Sequence, residues 1–496
     1  MKKFLIAFFL FQFIFIRAET LIDEVIVVGS YLKSTESDLS PINIINKDLI
    51  DDLNISSIAE ISKYITSSSG SHFQANTLGG VDQGMASITL RGLDHASTLV
   101  LINSKRHTFA GTPSNQGEGY IDVNIIPEIA INRVEILKEG ATSLYGSDAV
   151  AGVINFSLLR KFEGLNLDFS YQETDNYDQS ESSLGILYGW SSNKINFVLG
   201  FNHLDRNPLS ASEIPGIAEL ALSGLGKTFK VKEDAFVSKG PYSGNYSKDD
   251  LIPDPRCETN GGILSGGRCR FLYGNRFNIV NDETHNKLYS SITIARERFD
   301  FNSTLILSSV NVNDNPQSPS YPALPFLSRP IEADQAGNPF GVQVTWYGRP
   351  LGSEFASPHS PKDISQYHLS NEFLFELDAS STLEISLTNS MHSNDHKRPD
   401  IIDSRFLNAI NGQGGSSGNE LWNIFDSQEM SIDLINYVSG FEKSKKEAYL
   451  DVLDLIYTRM NDDTEFALGL QFAEESLEIK YNEIARVEFD KDGKLL

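Results

Sequence analysis

Few residues in this chain have the types and spacing that chemistry needs. Cys257 and Cys269 lie twelve apart in a glycine-rich stretch. Two thiols are too few for a four-cysteine zinc site, and in an exported chain they are expected to form a disulfide. His392 and His396 stand four apart, but in Met391-His-Ser-Asn-Asp-His-Lys397, which reads as a loop rather than a helix. No metal site is expected there. His72, His95 and His107 are candidates for ligand contact, and the remaining histidines are scattered. Gly412-Gln-Gly-Gly-Ser-Ser-Gly418 holds a formal GxSxG match around Ser416. A nucleophile elbow needs a strand before the serine and a helix after it, and neither is legible here. Gly226-Lys-Thr228 imitates the end of a phosphate-binding loop, but Ala221 stands where its first glycine belongs. No catalytic constellation remains. The chain is expected to be neither an enzyme nor the holder of a cofactor or metal.

Composition narrows the class. The chain has 496 residues, 41 Lys+Arg against 66 Asp+Glu, and a net charge of -25. That balance argues against nucleic acid, which requires a basic face. With 40% hydrophobic and 22% charged residues, wholesale disorder is not expected. Beyond the N-terminus no run of 18 apolar residues occurs, so no helix is expected to span a membrane. A closed β-barrel crosses without such a run.

The chain opens with Lys2 and Lys3, an apolar run from Phe4 to Ile16 broken only by Gln12, and Ala18. This reads as a secretory signal peptide over 1–18. Residues 19–39 form a linker containing Asp23-Glu-Val-Ile-Val-Val28. Such a short β-branched run can add as a strand to a partner's sheet edge, or serve as an ordinary first strand.

Residues 40–160 read as a compact α+β domain. Pro41–Ile45, Ile88–Arg91, Thr98–Ile102, Arg133–Leu137 and Ala149–Phe156 are expected strands. Asp48 is expected to cap one helix, and Ser56 or Ser57 a second through Ile58, Ile61 and Ile65; a short helix starts at Pro127. From Leu165 the pattern changes to period two. Leu165, Leu167, Phe169 and Tyr171 alternate with Asn166, Asp168, Ser170 and Gln172, and similar runs recur to about 475. We count about nine strands of roughly ten residues, the length typical of transmembrane strands. Their connections alternate. Tight turns near 191–194, 298–300, 378–381 and 461–463 separate long segments near 206–285, 313–363 and 394–445. Outer-membrane barrels sort short and long connections in this way. The two cysteines then belong to an outer loop.

The residues also resemble a known family. Ile88-Thr-Leu-Arg-Gly-Leu93, Thr98-Leu-Val-Leu-Ile-Asn-Ser-Lys-Arg106 and the run from Arg133 to Asn155 look like the plug of TonB-dependent outer-membrane receptors. The motif positions are Arg91, Gly92, Arg133, Glu135, Gly140, Tyr145, Gly146, Asp148 and Gly152. Ser104 stands where the family usually has glycine. The resemblance implies a mainly β fold: a transmembrane antiparallel barrel, 22-stranded in the whole protein with about nine strands here, and an α+β plug inside the lumen. It assigns 40–160 to the plug and 161–496 to a partial barrel. It implies that Asp23, Glu24, Val25, Ile26, Val27 and Val28 are the box that pairs with TonB. Arg91 and Arg133 are implied to face acids on the barrel wall, among Asp168, Glu372, Glu376 and Glu384. Gly140, Gly146 and Gly152 are implied to allow turns or close packing against the wall.

The function so implied is energised uptake by a monomeric receptor in the outer membrane of a Gram-negative bacterium, in contact with its lipid. A ferric siderophore is the leading ligand, with cobalamin, haem and oligosaccharides as others. Aromatic segments such as Phe271-Leu-Tyr273 and Tyr321 suit sugars or siderophores alike. A surface adhesin without transport is the alternative from another class, but an adhesin needs neither box nor plug. An odd count of nine strands and a polar end at Phe489–Leu496 also raise the expectation that the chain is the N-terminal part of a longer receptor, or a non-functional fragment.

Overall fold

The computed structural model describes residues 42–53, 55, 57–69, 83–114, 117–276, 278–314, 330–356, 358–426, 430–461 and 464–486. The leader, the segment Asp23–Val28, His72, Tyr321 and the polar end Phe489–Leu496 lie outside them.

The N-terminal domain is built on a five-stranded sheet. Its strands are β1 (Ile42–Asn46), β2 (Thr98–Ile102), β3 (Lys105–Arg106), β4 (Ile131–Leu137) and β5 (Gly152–Leu158). The spatial order is β1-β4-β5-β2-β3, with β2 and β5 parallel and the other pairs antiparallel. β2 is buried along its whole length, as expected of a strand covered on both faces. Its hairpin to β3 turns through Asn103 and Ser104, both left-handed at φ 49° and 65°. A two-residue turn of that hand matches the twist of the paired strands.

Three local expectations need correction. Helix α1 (Lys47–Asp52) has Asn46 at its N-cap position; Asp48 sits inside the first turn, where its charge favours the helix dipole. The segment Ile58–Tyr64 is a 3-10 helix rather than an α-helix. Ile58 and Ile61, three apart and fully buried, eclipse one another on a three-residue turn. Its Ile58 N–H donates to the Glu128 carboxylate at 3.2 Å. Ile88–Arg91 is not a ladder strand: Leu90 forms one isolated bridge to Ser68, and Arg91 turns left-handed at φ 60°.

Nine strands then run as one antiparallel meander in chain order. They are β6 (Gly164–Glu173), β7 (Ser180–Ser191), β8 (Ile195–Arg206), β9 (Asp282–Arg296), β10 (Phe299–Asp314), β11 (Lys362–Asp378), β12 (Ser381–Ile401), β13 (Ser439–Asn461) and β14 (Thr464–Tyr481). The sheet is open: no described strand pairs with the free rims of β6 and β14. Its burial pattern inverts that of a soluble sheet. On β6, Phe169 is 72% exposed, and on β14 Leu468 is 62% exposed. The opposite face buries polar groups: His368, Ser370, Ser386 and His392 are fully covered. Apolar outside and polar inside is the pattern of a wall between lipid and a filled lumen. Aromatic rings gather on the outer face near the tight turns, as in the packed pairs Phe299–Phe375, Phe301–Phe373 and Tyr457–Phe466. No helix among the described residues is long and apolar enough to cross a membrane.

The strands are longer than the expected ten residues, reaching 23 in β13. They continue past the apolar band, and their outward residues there turn polar: Asp363, Asp395 and Glu447. The pattern of connections stands. Residues 192–194, 297–298 and 379–380 make tight turns, while 207–281, 315–361 and 402–438 make long excursions on the other side.

The described parts of those excursions fold together. Residues 251–253, 227–231, 344–348 and 330–331 form a four-stranded sheet in that order. Helices α2 (Asp403–Ile410) and α3 (Ile432–Val438), from the third excursion, join the same core. Phe229, Tyr242, Phe340 and Phe425 pack as one aromatic cluster. Burial beside Asp254 pushes the Tyr242 phenol well above its usual range. Arg256 ties the first loop to the third through Asp426 at 2.8 Å. Cys257 and Cys269 are bonded, buried and flanked by Gly262, where a Cβ would lie 2.8 Å from sulfur.

Candidate functional site

The plug meets the lumen face of the wall along two distinct zones. The first lies against β7, β8, β9 and β10. There the plug's main apolar core continues without a break into the wall. Ile125, Ile126, Ile129 and Phe156 share one cluster with Leu187, Val198, Tyr289 and Ile306. Gly185 on β7 permits the approach: a Cβ there would lie 3.3 Å from Ile129 Cβ. Polar groups in this zone are paired. Lys287 Nζ donates to the Glu128 carboxylate at 2.6 Å and to the Ile126 carbonyl at 3.1 Å. Tyr289 Oη donates to the Leu159 carbonyl at 2.7 Å, Ser308 Oγ to the Asn124 carbonyl at 3.2 Å, and the Ile129 N–H to Asn202 Oδ1 at 3.0 Å.

The second zone lies against β11 and β12, reaches the Lys446 backbone of β13 beside Gly111, and is mostly polar, with one small apolar cluster of Met85, Ala110, Tyr120, Val310 and Ile364. Three successive inward rows of the ladder pair Gln366 with His392, His368 with Ser390, and Ser370 with Thr388. The plug segment 105–112 runs along them. Its Thr108 N–H donates to Ser390 Oγ at 3.0 Å, and its Gly111 N–H to His392 Nδ1 at 3.0 Å. Asn394 Nδ2 donates to Thr112 Oγ1 at 2.8 Å, and Gln366 Nε2 to Asp122 Oδ2 at 2.6 Å. Because Gly111 donates to Nδ1, the His392 proton must sit on Nε2, 3.4 Å from Asp122 Oδ2. Burial, aided by His392, pushes the His107 imidazole down to about 4, so it is neutral at neutral pH. Several buried atoms here have no hydrogen-bond partner among the described residues: Thr108 Oγ1, His107 Nδ1, both ring nitrogens of His368, Ser370 Oγ, Thr388 Oγ1 and His392 Nε2.

Below this seam sit two ion pairs. Lys105 reaches Glu384 at 2.8 Å, and Arg160, in the link between plug and wall, reaches Glu372 at 2.5 Å. Burial alone would lower the Lys105 pKa, but Glu372, Glu384 and Asp454 outweigh it, and the ammonium stays charged.

The sequence-derived positions therefore divide. Glu372 and Glu384 do hold plug cations, but not the implied ones. Arg133 pairs within the plug, with Glu135 at 2.7 Å, and Glu135 in turn accepts from Asn155 at 3.1 Å. The two are neighbours on one face of β4, so the pair closes locally before the wall can compete. Arg91 donates to the Lys138 carbonyl at 3.3 Å and is exposed. Asp168 and Glu376 are exposed and make no ion pair among the described residues. Tyr145 and Asp148 act together: the Tyr145 carbonyl accepts from Arg106, and Asp148 pairs with the same guanidinium at 2.6 Å. Gly92 and Gly146 are left-handed, at φ 66° and 83°. Gly140 and Gly152 pack within the plug rather than on the wall. A Cβ would come 3.1 Å from the Val150 carbonyl at the first and 2.3 Å from the Leu137 carbonyl at the second.

The histidines also move. His392 and His396 lie on β12, not in a loop, and face inward; His396 meets Ser360 Oγ at 2.7 Å. No group of three metal-ligating side chains converges among the described residues. His107 is buried on the seam and His95 stands beside Ser87 at 3.0 Å. Ser416 donates to Asp433 at 2.9 Å in an exposed turn. Lys105, Glu128, Lys287 and the polar rows of β11 and β12 were not singled out from sequence. The inward parity of His368 and Glu384 was visible, but nothing in the sequence names the segment they meet.

Comparison with known proteins follows the same division. Residues 35–153 match the family model of the TonB-dependent Receptor Plug Domain. A stretch of 138 residues is 30% identical to the vitamin B12 transporter BtuB of Vibrio vulnificus, covering 28% of this chain and 21% of that protein. Another of 69 residues is 41% identical to the iron-regulated outer membrane virulence protein of Vibrio cholerae, covering 14% of this chain and 11% of that one. Among solved structures, a variant of the ferric enterobactin receptor PfeA from Pseudomonas aeruginosa, in complex with enterobactin, aligns with a TM-score of 0.45 at 12% identity, over 89% of this chain and 50% of that one. The chain thus spans about half the length of that receptor, and the matched stretches a smaller share of the curated relatives.

Proposed function

We propose that this chain, which carries the plug of a TonB-dependent receptor of the Gram-negative outer membrane, serves energised uptake of a scarce ligand. The observation that carries the reading is the seating of the plug on the polar face of a sheet whose other face is apolar. Such a plug closes a pore, and a closed pore transports only if something moves the plug. The segment Asp23–Val28 is suited to be the handle: a short β-branched run of the kind that can add to the edge of a TonB sheet. Ligand bound outside must favour release of that segment, or it could signal nothing across the membrane.

For the ligand we propose a ferric siderophore or cobalamin: one relative is named a vitamin B12 transporter and another an iron-regulated outer membrane protein. Haem and oligosaccharides are the competing cargoes. The acidic balance of the chain disfavours a polyanion.

The test is uptake of labelled ferric siderophore and cobalamin by cells carrying the receptor from its own locus, with and without residues 23–28. Uptake is expected to fall at least tenfold on removing the segment while surface binding persists. Uptake indifferent to the segment would overturn the reading and leave a binding protein or adhesin.

A further inference from the structure

We infer that the plug parts from the wall on one side only, along β11 and β12, while remaining seated on β7, β8, β9 and β10. The inference rests on the transport reading, and it names the surface where the pore opens.

The two zones differ in what separation would cost. Pulling the plug from β7–β10 exposes a continuous apolar core, in which Ile129, Leu187, Val198, Tyr289 and Ile306 are all buried. Returning each such fully buried aliphatic or aromatic side chain to water is costly. It also strands Lys287, whose ammonium has Glu128 and the Ile126 carbonyl as partners. Pulling the plug from β11 and β12 parts the Lys105–Glu384 pair at the foot of the seam and uncovers the small cluster of Ala110, Tyr120 and Ile364, but otherwise exposes backbone N–H groups, hydroxyls, amides and imidazoles. Water replaces their hydrogen bonds at little net cost. Buried polar atoms of His107, Thr108, His368, Ser370 and Thr388 have no partner among the described residues, so water can bond them without displacing a protein contact. The seam therefore opens with hydration, and the opposite zone resists it.

The seam also defines the lining of what opens. The plug contributes His107, Thr108 and Asp122; the wall contributes Gln366, His368 and His392. Such a surface is polar, with Asp122 as its carboxylate and the Lys105–Glu384 pair at its foot, suited to a bulky hydrated cargo that must not stick.

The first test needs no cargo. In the purified full-length receptor, amide hydrogen exchange of peptides covering 107–112 is expected to run at least tenfold faster than that of 124–131. Equal protection of the two segments would overturn the inference whatever uptake shows. The second test pins each zone with a short thiol crosslinker. Thr112→Cys with Asn394→Cys bridges the seam, where the native side chains meet at 2.8 Å. Ile129→Cys with Gly185→Cys bridges the seated zone, where the two Cβ positions lie 3.3 Å apart. Crosslinking the first pair is expected to cut uptake at least tenfold and the second less than twofold, both relative to the same uncrosslinked protein. Equal loss from both, or loss from the second alone, overturns the inference. If uncrosslinked receptor shows no uptake that depends on residues 23–28, the transport reading fails, and the exchange measurement alone decides the one-sided opening.

Discussion

The plug and the wall are both sheets of this chain, yet they obey opposite rules. In the plug, β2 and β5 bury Leu101, Ile102, Ile154 and Phe156, and the buried polar groups Arg133, Glu135 and Asn155 pair with one another. In the wall, the buried face carries His368, Ser370 and Ser386, and the exposed face carries Leu165, Phe169 and Leu468. The difference teaches that a period-two pattern reports two environments without saying which is inside. Only the partner decides: the plug's own layers and the wall around the plug, hydrocarbon around the wall.

Four substitutions would break or sharpen that contrast. The largest effect is expected where the two regions share a buried charge pair. Glu128→Ala leaves the Lys287 ammonium without its carboxylate and should cost about 3–5 kcal/mol in denaturant unfolding of the plug. Adding Lys287→Met should restore most of that loss; a double variant no better than the single would deny that the pair bridges the regions. Next comes the outer face itself. Leu468→Arg should destabilise the barrel by about 2–4 kcal/mol when refolding is measured in lipid bilayers. A tolerated arginine there would mean that this face does not meet lipid. The outer loops return to the rule of the plug, with an aromatic core and a disulfide. Replacing Cys257 and Cys269 together with serine should remove about 2–3 kcal/mol, read as earlier melting of the loop core with the wall unchanged. Simultaneous melting of both would show that the loops are not a separate unit. The smallest effect is a gain. Ser104→Gly relieves a left-handed residue at φ 65° and should stabilise the plug by about 1 kcal/mol in the same unfolding assay as Glu128→Ala.

Much of the wall was legible because its signals are local. Alternation located its strands, and turn chemistry located the tight connections at 192–194, 297–298 and 379–380. The plug motif was legible as a resemblance, and β2 falls on Thr98–Ile102 as read. What escaped were facts of partnership. Lys105 and Glu384 are 279 residues apart in the chain, and no spacing rule connects them. Arg133 looked outward for an acid when Glu135, two residues on, already satisfied it. Met391–Lys397 read as a loop because it is polar; it is a strand because the plug supplies the polar partners that make its inward face possible. The length of the strands escaped for a related reason. Past the apolar band their outward residues become polar, and the alternation fades although the ladder continues.

That overhang has a consequence for traffic at the cell surface. The 23 residues of β13 run ~75 Å along the strand at ~3.4 Å each, and a tilt of ~45° leaves a height of ~50 Å. The apolar band of such walls is ~25 Å tall. On the side of the long loops β12 and β13, with 21 and 23 residues, stand as a parapet about as high above the lipid as the membrane core is thick, while β7 and β8, with 12 residues each, stop close to the band. A molecule drifting in the plane of the membrane toward β12 and β13 would meet their polar flank before anything else. The loops that share one aromatic core rise from the top of that flank as its coping.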